Sequence, residues 1–383
     1  MKKGWEIKKL GNLTTIKTGK LNANAMVENG DYAFFTCSRE VFRIDNYAFD
    51  CEAILLAGNN ASGDFNVKHY KGKFNAYQRT YVITIDDNDK LLYVYLKYKM
   101  EANLLDFKNQ SLGANTKFLK IGMIESMPIP IPPLEEQQQI VAFLDEVFEA
   151  IEQAQANIEK NIENAKELFQ SKLNEIFSQK CDFWEEKTLG ELSILKSGGT
   201  PSTSNPSYWA NEGIAWYSSG ELNDTYTQEP ERYITNLGLK NSNAKIFPEG
   251  SLLIGMYDTA ALKMSIIDRD ATFNQAIVGV EPHSDIDLKF IMLSIESQKS
   301  NILKLRRGVR QKNLNQTKIK AIEIYLPQLS TQKDIVSKID DFNLQLNKLE
   351  NYYQKKLNEL EELKKSILEK AFAGELSDKD MSA

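Results

Sequence analysis

The chain of 383 residues states one plan twice, and this duplication constrains its fold more than any single motif. Trp5-Glu6-x-Lys8-x-Leu10-Gly11-x-Leu13-x3-Lys17-x-Gly19 returns as Trp184-Glu185-x-Lys187-x-Leu189-Gly190-x-Leu192-x3-Lys196-x-Gly198, displaced by 179 positions. Pro132-x-Leu134-x2-Gln137-x2-Ile140-Val141 returns as Pro327-x-Leu329-x2-Gln332-x2-Ile335-Val336, displaced by 195. The order of elements is kept, so the difference of 16 measures residues added to the second globular part. A long heptad-patterned segment closes each copy. Two similar surfaces with helical spacers point to a ligand in two parts.

A chain of this length outgrows a single core, so several domains are expected. The boundaries read as 1–133, 134–180, 181–329 and 330–383, two globular parts each followed by a helical one. No apolar run reaches a membrane span, and the opening Met1-Lys2-Lys3-Gly4-Trp5-Glu6 lacks a signal-peptide core. Cys37, Cys51 and Cys181 stand in no CxxC or zinc spacing, which suits reduced thiols in a cytoplasmic protein. The net charge of −6 argues against a nucleic-acid ligand until it is divided along the chain. The four segments carry +4, −6, −2 and −2 in order, so the helical parts hold −8 and the globular parts +2. No acid occurs from Phe65 to Ile85, where Lys68, Lys71, Lys73 and Arg79 lie. None occurs from Ser297 to Ile322 either, against eight basic residues.

Each globular part reads as mixed α/β. Tyr32–Phe35, Ala53–Leu56 and Tyr81–Ile85 suit buried strands, as do Ser251–Gly255 and Ala276–Val280 in the second part. The run 58–63 reads as irregular, and one helix is expected in each part, near Lys90–Leu105 and Asp287–Leu305. Pro128, Pro130, Pro132 and Pro133 then force an extended exit. Beyond them Ile140, Leu144, Val147, Ile151, Ala154, Ile158, Ala165 and Leu168 follow helical spacing. Ile335, Ile339, Phe342, Leu346, Leu349, Tyr353, Leu360, Leu363 and Ile367 do the same in the second copy. Helices of about 40 residues would reach ~60 Å. Such heptad faces need a partner, and intrachain antiparallel pairing is the reading preferred over pairing with another subunit. The expected class is therefore α+β: two mixed α/β recognition domains, separated and followed by long helices in an antiparallel coiled coil with a pseudo-two-fold internal repeat. Two readers so related would match the local symmetry of duplex DNA, with a spacing of at most roughly 18 base pairs at 3.4 Å each.

The basic segment Arg306-Arg307-Gly308-Val309-Arg310-Gln311-Lys312-Asn313 joins arginine forks, suited to phosphate and guanine, with amides suited to adenine. Its plain reading is a solvated helix end. Gly113 aligns with Gly308, which makes Ser111–Lys117 the counterpart in the first part. Phe74-Asn75-Ala76-Tyr77-Gln78-Arg79 and Phe273-Asn274-Gln275-Ala276 form a further repeated pair near a strand start, able to read base edges or to close a turn. The candidate DNA-binding residues are Lys71, Lys73, Tyr77, Gln78, Arg79, Lys117, Asn274, Gln275, Arg306, Arg307, Arg310 and Lys312. Asn205-Pro206-Ser207-Tyr208 has serine where an amino-methyltransferase motif needs proline, and reads as a turn. His69 and His283 are too few for a histidine metal site, and no P-loop is present, so no catalytic or metal residue is assigned.

Taken together these features resemble the specificity subunit of Type I restriction-modification systems. The segment Gly198-Gly199-Thr200-Pro201-Ser202-Thr203-Ser204-Asn205-Pro206-Ser207-Tyr208-Trp209 is similar to the opening of that family's target recognition domains. Ile131-Pro132-Pro133-Leu134-Glu135-Glu136-Gln137 resembles its exit into a helical region, and Ala371-Phe372-Ala373-Gly374-Glu375-Leu376 its chain end. Lys17-Thr18-Gly19-Lys20-Leu21-Asn22 lacks the Thr-Pro-Ser insert, which implies that the two domains read different half-sites. The resemblance implies a non-catalytic, cytoplasmic subunit that binds double-stranded DNA and no membrane. It would organise two methyltransferase subunits and two restriction/translocase subunits. S-adenosylmethionine, ATP and Mg would belong to those partners, with no cofactor on this chain. A coiled-coil scaffold with duplicated protein-binding domains is the rival reading, and a specificity subunit serving a modification enzyme without translocation is a third.

Overall fold

The repeated openings and exits meet as paired ladders. In the computed structural model, which describes residues 4–178, 184–283, 286–306 and 313–376, β1 (Glu6–Lys9) runs antiparallel to a strand at Pro128–Ile131. Pro128 and Pro130 lack an N–H, so the donors on that strand are confined to Ile129 and Ile131. Such a ladder survives only as an edge pair, and this one has two strands. The second copy repeats it, with Glu185–Thr188 against Glu323–Leu326.

The chain divides into two units, one holding residues up to Glu159 together with those from Tyr353 onward, the other Lys160–Tyr352. In the first, β1 is followed by β2 (Thr14–Thr18), β3 (Tyr32–Phe35), β4 (Val41–Ile44), β5 (Phe49–Ala57), β6 (Asn59–Asn60), β7 (Val67–Ala76) and β8 (Thr80–Ile85). Then come α1 (Tyr93–Ala102), α2 (Leu104–Gln110), β9 (Lys117–Phe118), α3 (Ile121–Glu125), β10 (Pro128–Ile131) and α4 (Leu134–Ser178). Six strands form a sheet in the order β2-β8-β5-β7-β3-β4, antiparallel except for β3 against β7. The run 58–63 is less irregular than expected, because β6 pairs with β9.

The second unit runs β11 (Glu185–Thr188), α5 (Leu189–Leu192), β12 (Ser193–Ser197), β13 (Trp209–Ala210), β14 (Ile214–Tyr217), β15 (Arg232–Ile234) and α6 (Asn236–Lys240). It continues through β16 (Leu252–Gly255), β17 (Met264–Ile266), β18 (Ala271–Phe273) and β19 (Ile277–Pro282) to α7 (Leu288–Ser297), α8 (Lys299–Lys304), α9 (Gln316–Lys320), β20 (Glu323–Leu326) and α10 (Leu329–Ala373). Here the sheet is cut into β12-β19-β16-β17 and β13-β15-β14-β18. The cut falls at the place that Gly72, with φ +134°, occupies in β7 of the first unit. In the second unit Asp268–Asp270 interrupts the strand, and Arg269 grips Asp268 through two hydrogen bonds of 3.1 and 3.0 Å. The one helix expected near Lys90–Leu105 and near Asp287–Leu305 is in each case two, α1 with α2 and α7 with α8, because Asn103 and Gln298 leave helical geometry, and the short helices α3, α5, α6 and α9 were not expected.

The repeated glutamines explain the exit motif. Gln137 is fully buried: its Oε1 accepts from Leu92 N at 3.0 Å, and its Nε2 donates to the carbonyls of Lys90 and Pro132 at 2.8 and 2.9 Å. One side chain thus locks the first turn of α4 to the start of α1 and to the proline exit. Gln332 does the same in its unit, accepting from Asp287 N at 2.9 Å and donating to Pro327 O at 2.8 Å.

Helix packing also repeats. In the first unit Phe372 of α10 sits edge-on against Tyr95 at 5.2 Å, and in the second Phe177 of α4 meets Phe290 at 5.3 Å. Each pair lies 195 positions from the other. Within the first unit Gln155 bonds Glu361, Glu152 pairs with Lys364, and Lys364 lies over Phe148. The descending partners fix an antiparallel register there. Ile140, Leu144 and Ile151 are buried as expected, whereas Leu168, Leu349 and Leu363 are exposed. The neighbouring Phe169 makes the seam contact instead, stacking on Phe342 in the second unit.

Candidate nucleic-acid interface

The loops of each unit converge on one tight turn between two strands. In the first unit it is Tyr77–Arg79, joining β7 to β8. Tyr77 N bonds Phe35 O at 2.9 Å, and Thr80 N closes the turn on Tyr77 O at 2.8 Å. Gly58 N donates to Arg79 O at 2.8 Å, and Leu119 N donates to Gly58 O at 2.9 Å. The loop after β2 arrives through Gln78 N to Leu21 O at 2.9 Å and Gly19 N to Thr80 O at 3.3 Å. Gly19 is required, because a Cβ there would stand 1.8 Å from Ala76 O.

In the second unit the turn Asn274–Ala276 joins β18 to β19 with five of these six bonds, the one from Gln78 N to Leu21 O having no counterpart among the described residues. Asn274 N meets Tyr217 O, Ile277 N meets Asn274 O, Met256 N meets Ala276 O, and Leu314 N meets Met256 O, at 2.9, 3.1, 2.8 and 2.8 Å. Gly198 N bonds Ile277 O, and a Cβ on Gly198 would stand 2.1 Å from Phe273 O. Tyr77, Gln78 and Arg79 therefore correspond to Asn274, Gln275 and Ala276. The sequence pairing of Phe74 with Phe273 is two residues out of register, whereas the placement near a strand start holds, since each turn leads directly into β8 or β19. The cause is uneven insertion. Gly19 and Gly198 lie 179 apart, Gly58 and Met256 198, and Leu119 and Leu314 195, so no single displacement aligns the copies.

The structure brings Tyr77, Gln78, Arg79 and Lys117 into the first loop cluster. Lys117 pairs with Asn60 across β6–β9, and its side chain lies beside Gly63. Gln78 is exposed and donates from Nε2 to Asn22 Oδ1 at 3.0 Å. Arg79 is exposed, with no described carboxylate paired to it. Lys71 and Lys73 stand apart from this cluster, on either side of Gly72 in β7. Lys71 pairs with Glu52 at 3.0 Å and Lys73 lies over Tyr47 at 4.7 Å. Burial pushes the Glu52 carboxyl up, but hydrogen bonds from Lys71 and His69 outweigh it and hold the group below its ordinary value.

In the second cluster Asn274 is occupied locally, its Oδ1 accepting from Ala276 N at 3.0 Å. Gln275 is exposed and accepts from Thr200 Oγ1 at 2.5 Å. Arg306, two residues beyond α8, is half-buried, its Nε donating to Leu303 O at 3.1 Å. Arg307, Arg310 and Lys312 lie outside the described residues. Their flanks are placed: the segment ends at Leu314 on Met256 O, as Leu112–Phe118 ends at Leu119 on Gly58 O. Gly113 takes φ +103° in that first-unit loop, where Leu112 and Phe118 exchange backbone bonds.

Sequence reasoning missed Asn22, Thr200 and Tyr257. Asn22 and Thr200 hold the two turn glutamines, and both follow a glycine of the repeat that signals the loop. Tyr257 is 38% exposed directly after Met256, beside the turn; no local pattern announces it. Asn205 bonds Ser207 N through its Oδ1 at 3.1 Å, so Asn205–Tyr208 forms a turn as expected. His69 bonds Glu52 at 2.9 Å, and no cluster of three metal-ligating side chains occurs among the described residues.

A duplicated recognition module is what this arrangement defines: two domains, each presenting a loop cluster on the same hydrogen-bonded frame. The Type I restriction modification DNA specificity domain matches residues 2–164 and again 182–362. The chain is 27% identical over 402 residues to the Type I restriction enzyme EcoDI specificity subunit of Escherichia coli, covering 97% of this chain and 89% of that one. It is 28% identical over 290 residues to the EcoR124I/EcoR124II specificity subunit of Escherichia coli, covering 73% and 70%. A solved chain from work on complex assembly and conformational transition of the type I R-M system shares the fold, with a TM-score of 0.79 at 17% identity over 98% of this chain and 99% of that one. The HsdS subunit from Thermoanaerobacter tengcongensis gives 0.57 at 17% identity, over 98% of each. The chain belongs to this family, as a specificity subunit of a Type I restriction-modification system that carries the DNA specificity domain twice.

Proposed function

We propose that the chain reads a bipartite DNA target, one half-site for each copy of the domain. The observation that carries this reading is the common frame of the two loop clusters combined with their different side chains. The backbone frame is shared; the turn residues are Tyr77, Gln78 and Arg79 in one unit, the last two exposed, and Asn274, Gln275 and Ala276 in the other, where Gln275 is exposed, Asn274 half-buried and Ala276 buried. Equal frames with unequal side chains suit two different base sequences read by one kind of docking. The 45-residue helices α4 and α10 would fix the unread spacer. Lys117, Arg306, Arg307, Arg310 and Lys312 would contact phosphate or guanine near the turns, while Lys71 and Lys73 would lie at the margin.

In this reading the chain performs no catalysis. It positions two methyltransferase subunits, which would bind S-adenosylmethionine and modify adenine, and two restriction/translocase subunits, which would use ATP and Mg. Its place is the cytoplasm; no described helix is long and apolar enough to cross a membrane. Titration of the chain with its methyltransferase partner against duplex DNA at several salt concentrations tests the claim. Phosphate contacts require log affinity to fall linearly with log salt. Salt-indifferent behaviour without DNA binding would instead favour a protein-binding scaffold.

A further inference from the structure

We propose that Gln78 and Gln275 are a matched pair of specificity-determining residues, each reading an adenine of its own half-site in the major groove. The inference rests on the bipartite reading above and adds to it the residues and the base. Three observations carry it. The two glutamines are structurally equivalent: each is the middle residue of the turn, as the bonds from Gly58 to Arg79 and from Met256 to Ala276 establish. Each is exposed. Each is also braced by the loop that follows the first sheet strand of its unit, Gln78 by Asn22 at 3.0 Å and Gln275 by Thr200 at 2.5 Å. A braced side chain has already lost much of its rotamer freedom, so less is lost on binding.

The hydrogen-bond inventory identifies the base. A primary amide offers two acceptor lone pairs and two donor hydrogens. Gln78 spends one donor on Asn22; Gln275 spends one acceptor on Thr200. Each retains at least one acceptor and one donor, the pair needed to accept from adenine N6 and donate to N7 at once. This count stands even if an amide is turned over, because one valence of four is used in any orientation. The neighbouring positions differ in kind. Asn274 is half-buried, with its Oδ1 turned to Ala276 N, and its counterpart Tyr77 has no amide, so the shared reader is the glutamine.

The test is selection from a library of random duplexes by the chain assembled with its methyltransferase partner. Wild type should select a two-part motif. Gln78→Ala should cut discrimination at one position of one half-site by at least about tenfold and leave the other half-site sharp, which serves as an internal control for folding. Gln275→Ala should do the converse. Gln78→Glu keeps the side chain's size and should shift that position toward cytosine, whose N4 amine suits a carboxylate acceptor. A two-part wild-type motif that both alanine variants keep unchanged would overturn the pairing alone. So would blurring of both halves by a single substitution, or total loss of selection in a variant that melts like wild type. Failure of wild type to select any two-part motif would instead overturn the bipartite reading.

Discussion

Replacing Gln137 by alanine is the sharpest structural perturbation available. Its fully buried side chain makes three hydrogen bonds of 2.8 to 3.0 Å. Truncation strands the Leu92 N–H and the Lys90 and Pro132 carbonyls, and an unsatisfied buried group costs about 1–3 kcal/mol. Loss of about 3 kcal/mol or more from the first unit is therefore expected. Gln137→Glu separates packing from hydrogen bonding. An ionised carboxylate still accepts from Leu92 N but faces two carbonyl oxygens, so the neutral acid is favoured in the folded state. Its folded pKa is then raised above the unfolded value of about 4.3. The stability of that variant is fully present below the unfolded value and is lost as pH rises through the folded one. Urea unfolding from pH 4 to 8, combined with amide exchange at Leu92, measures both effects. Destabilisation by the alanine variant below about 1 kcal/mol, or a glutamate variant indifferent to pH, would refute the clamp.

Three further expectations follow from the same structure. Arg79→Ala should lower the salt slope of DNA binding by about one, whereas Lys71→Ala, already paired with Glu52, should leave it unchanged; equal slopes in both variants would contradict the loop-cluster assignment. Hydrogen bonds from Arg269, against partial burial, hold the Asp268 carboxyl below its ordinary value, so its contribution is present above that value and lost as pH falls through the lowered one. Asp268→Asn should accordingly flatten the acid limb of a melting-temperature profile, and an unaltered limb would discount the pair. Gly198→Ala puts a Cβ 2.1 Å from Phe273 O and should destabilise the second unit by about 1–3 kcal/mol, readable as a lower melting temperature with weakened DNA binding.

Much of the fold was legible because the repeat pinned it. The displacement of Trp5 and Gln137 marked the two domains, and heptad spacing marked helices that prove to be 45 residues each. Glycines and prolines carried the boundaries, since their backbone restrictions act locally. What escaped the sequence is long-range. The register between Tyr77–Arg79 and Asn274–Ala276 depends on insertions at several places, which a displacement constant over short motifs hides. Lys71 read as a free cation, because only the pairing of β5 with β7 brings Glu52 opposite it. Leu168 fitted the heptad as well as Phe169 did, and packing decided between them.

Mapping N6-methyladenine across a host genome, with and without this chain beside its methyltransferase partner, tests the central claim most directly. Two short defined blocks divided by a constant number of unspecified bases should gain methylation only when the chain is present. Methylation of one uninterrupted motif, or of no motif that depends on the chain, would contradict the account.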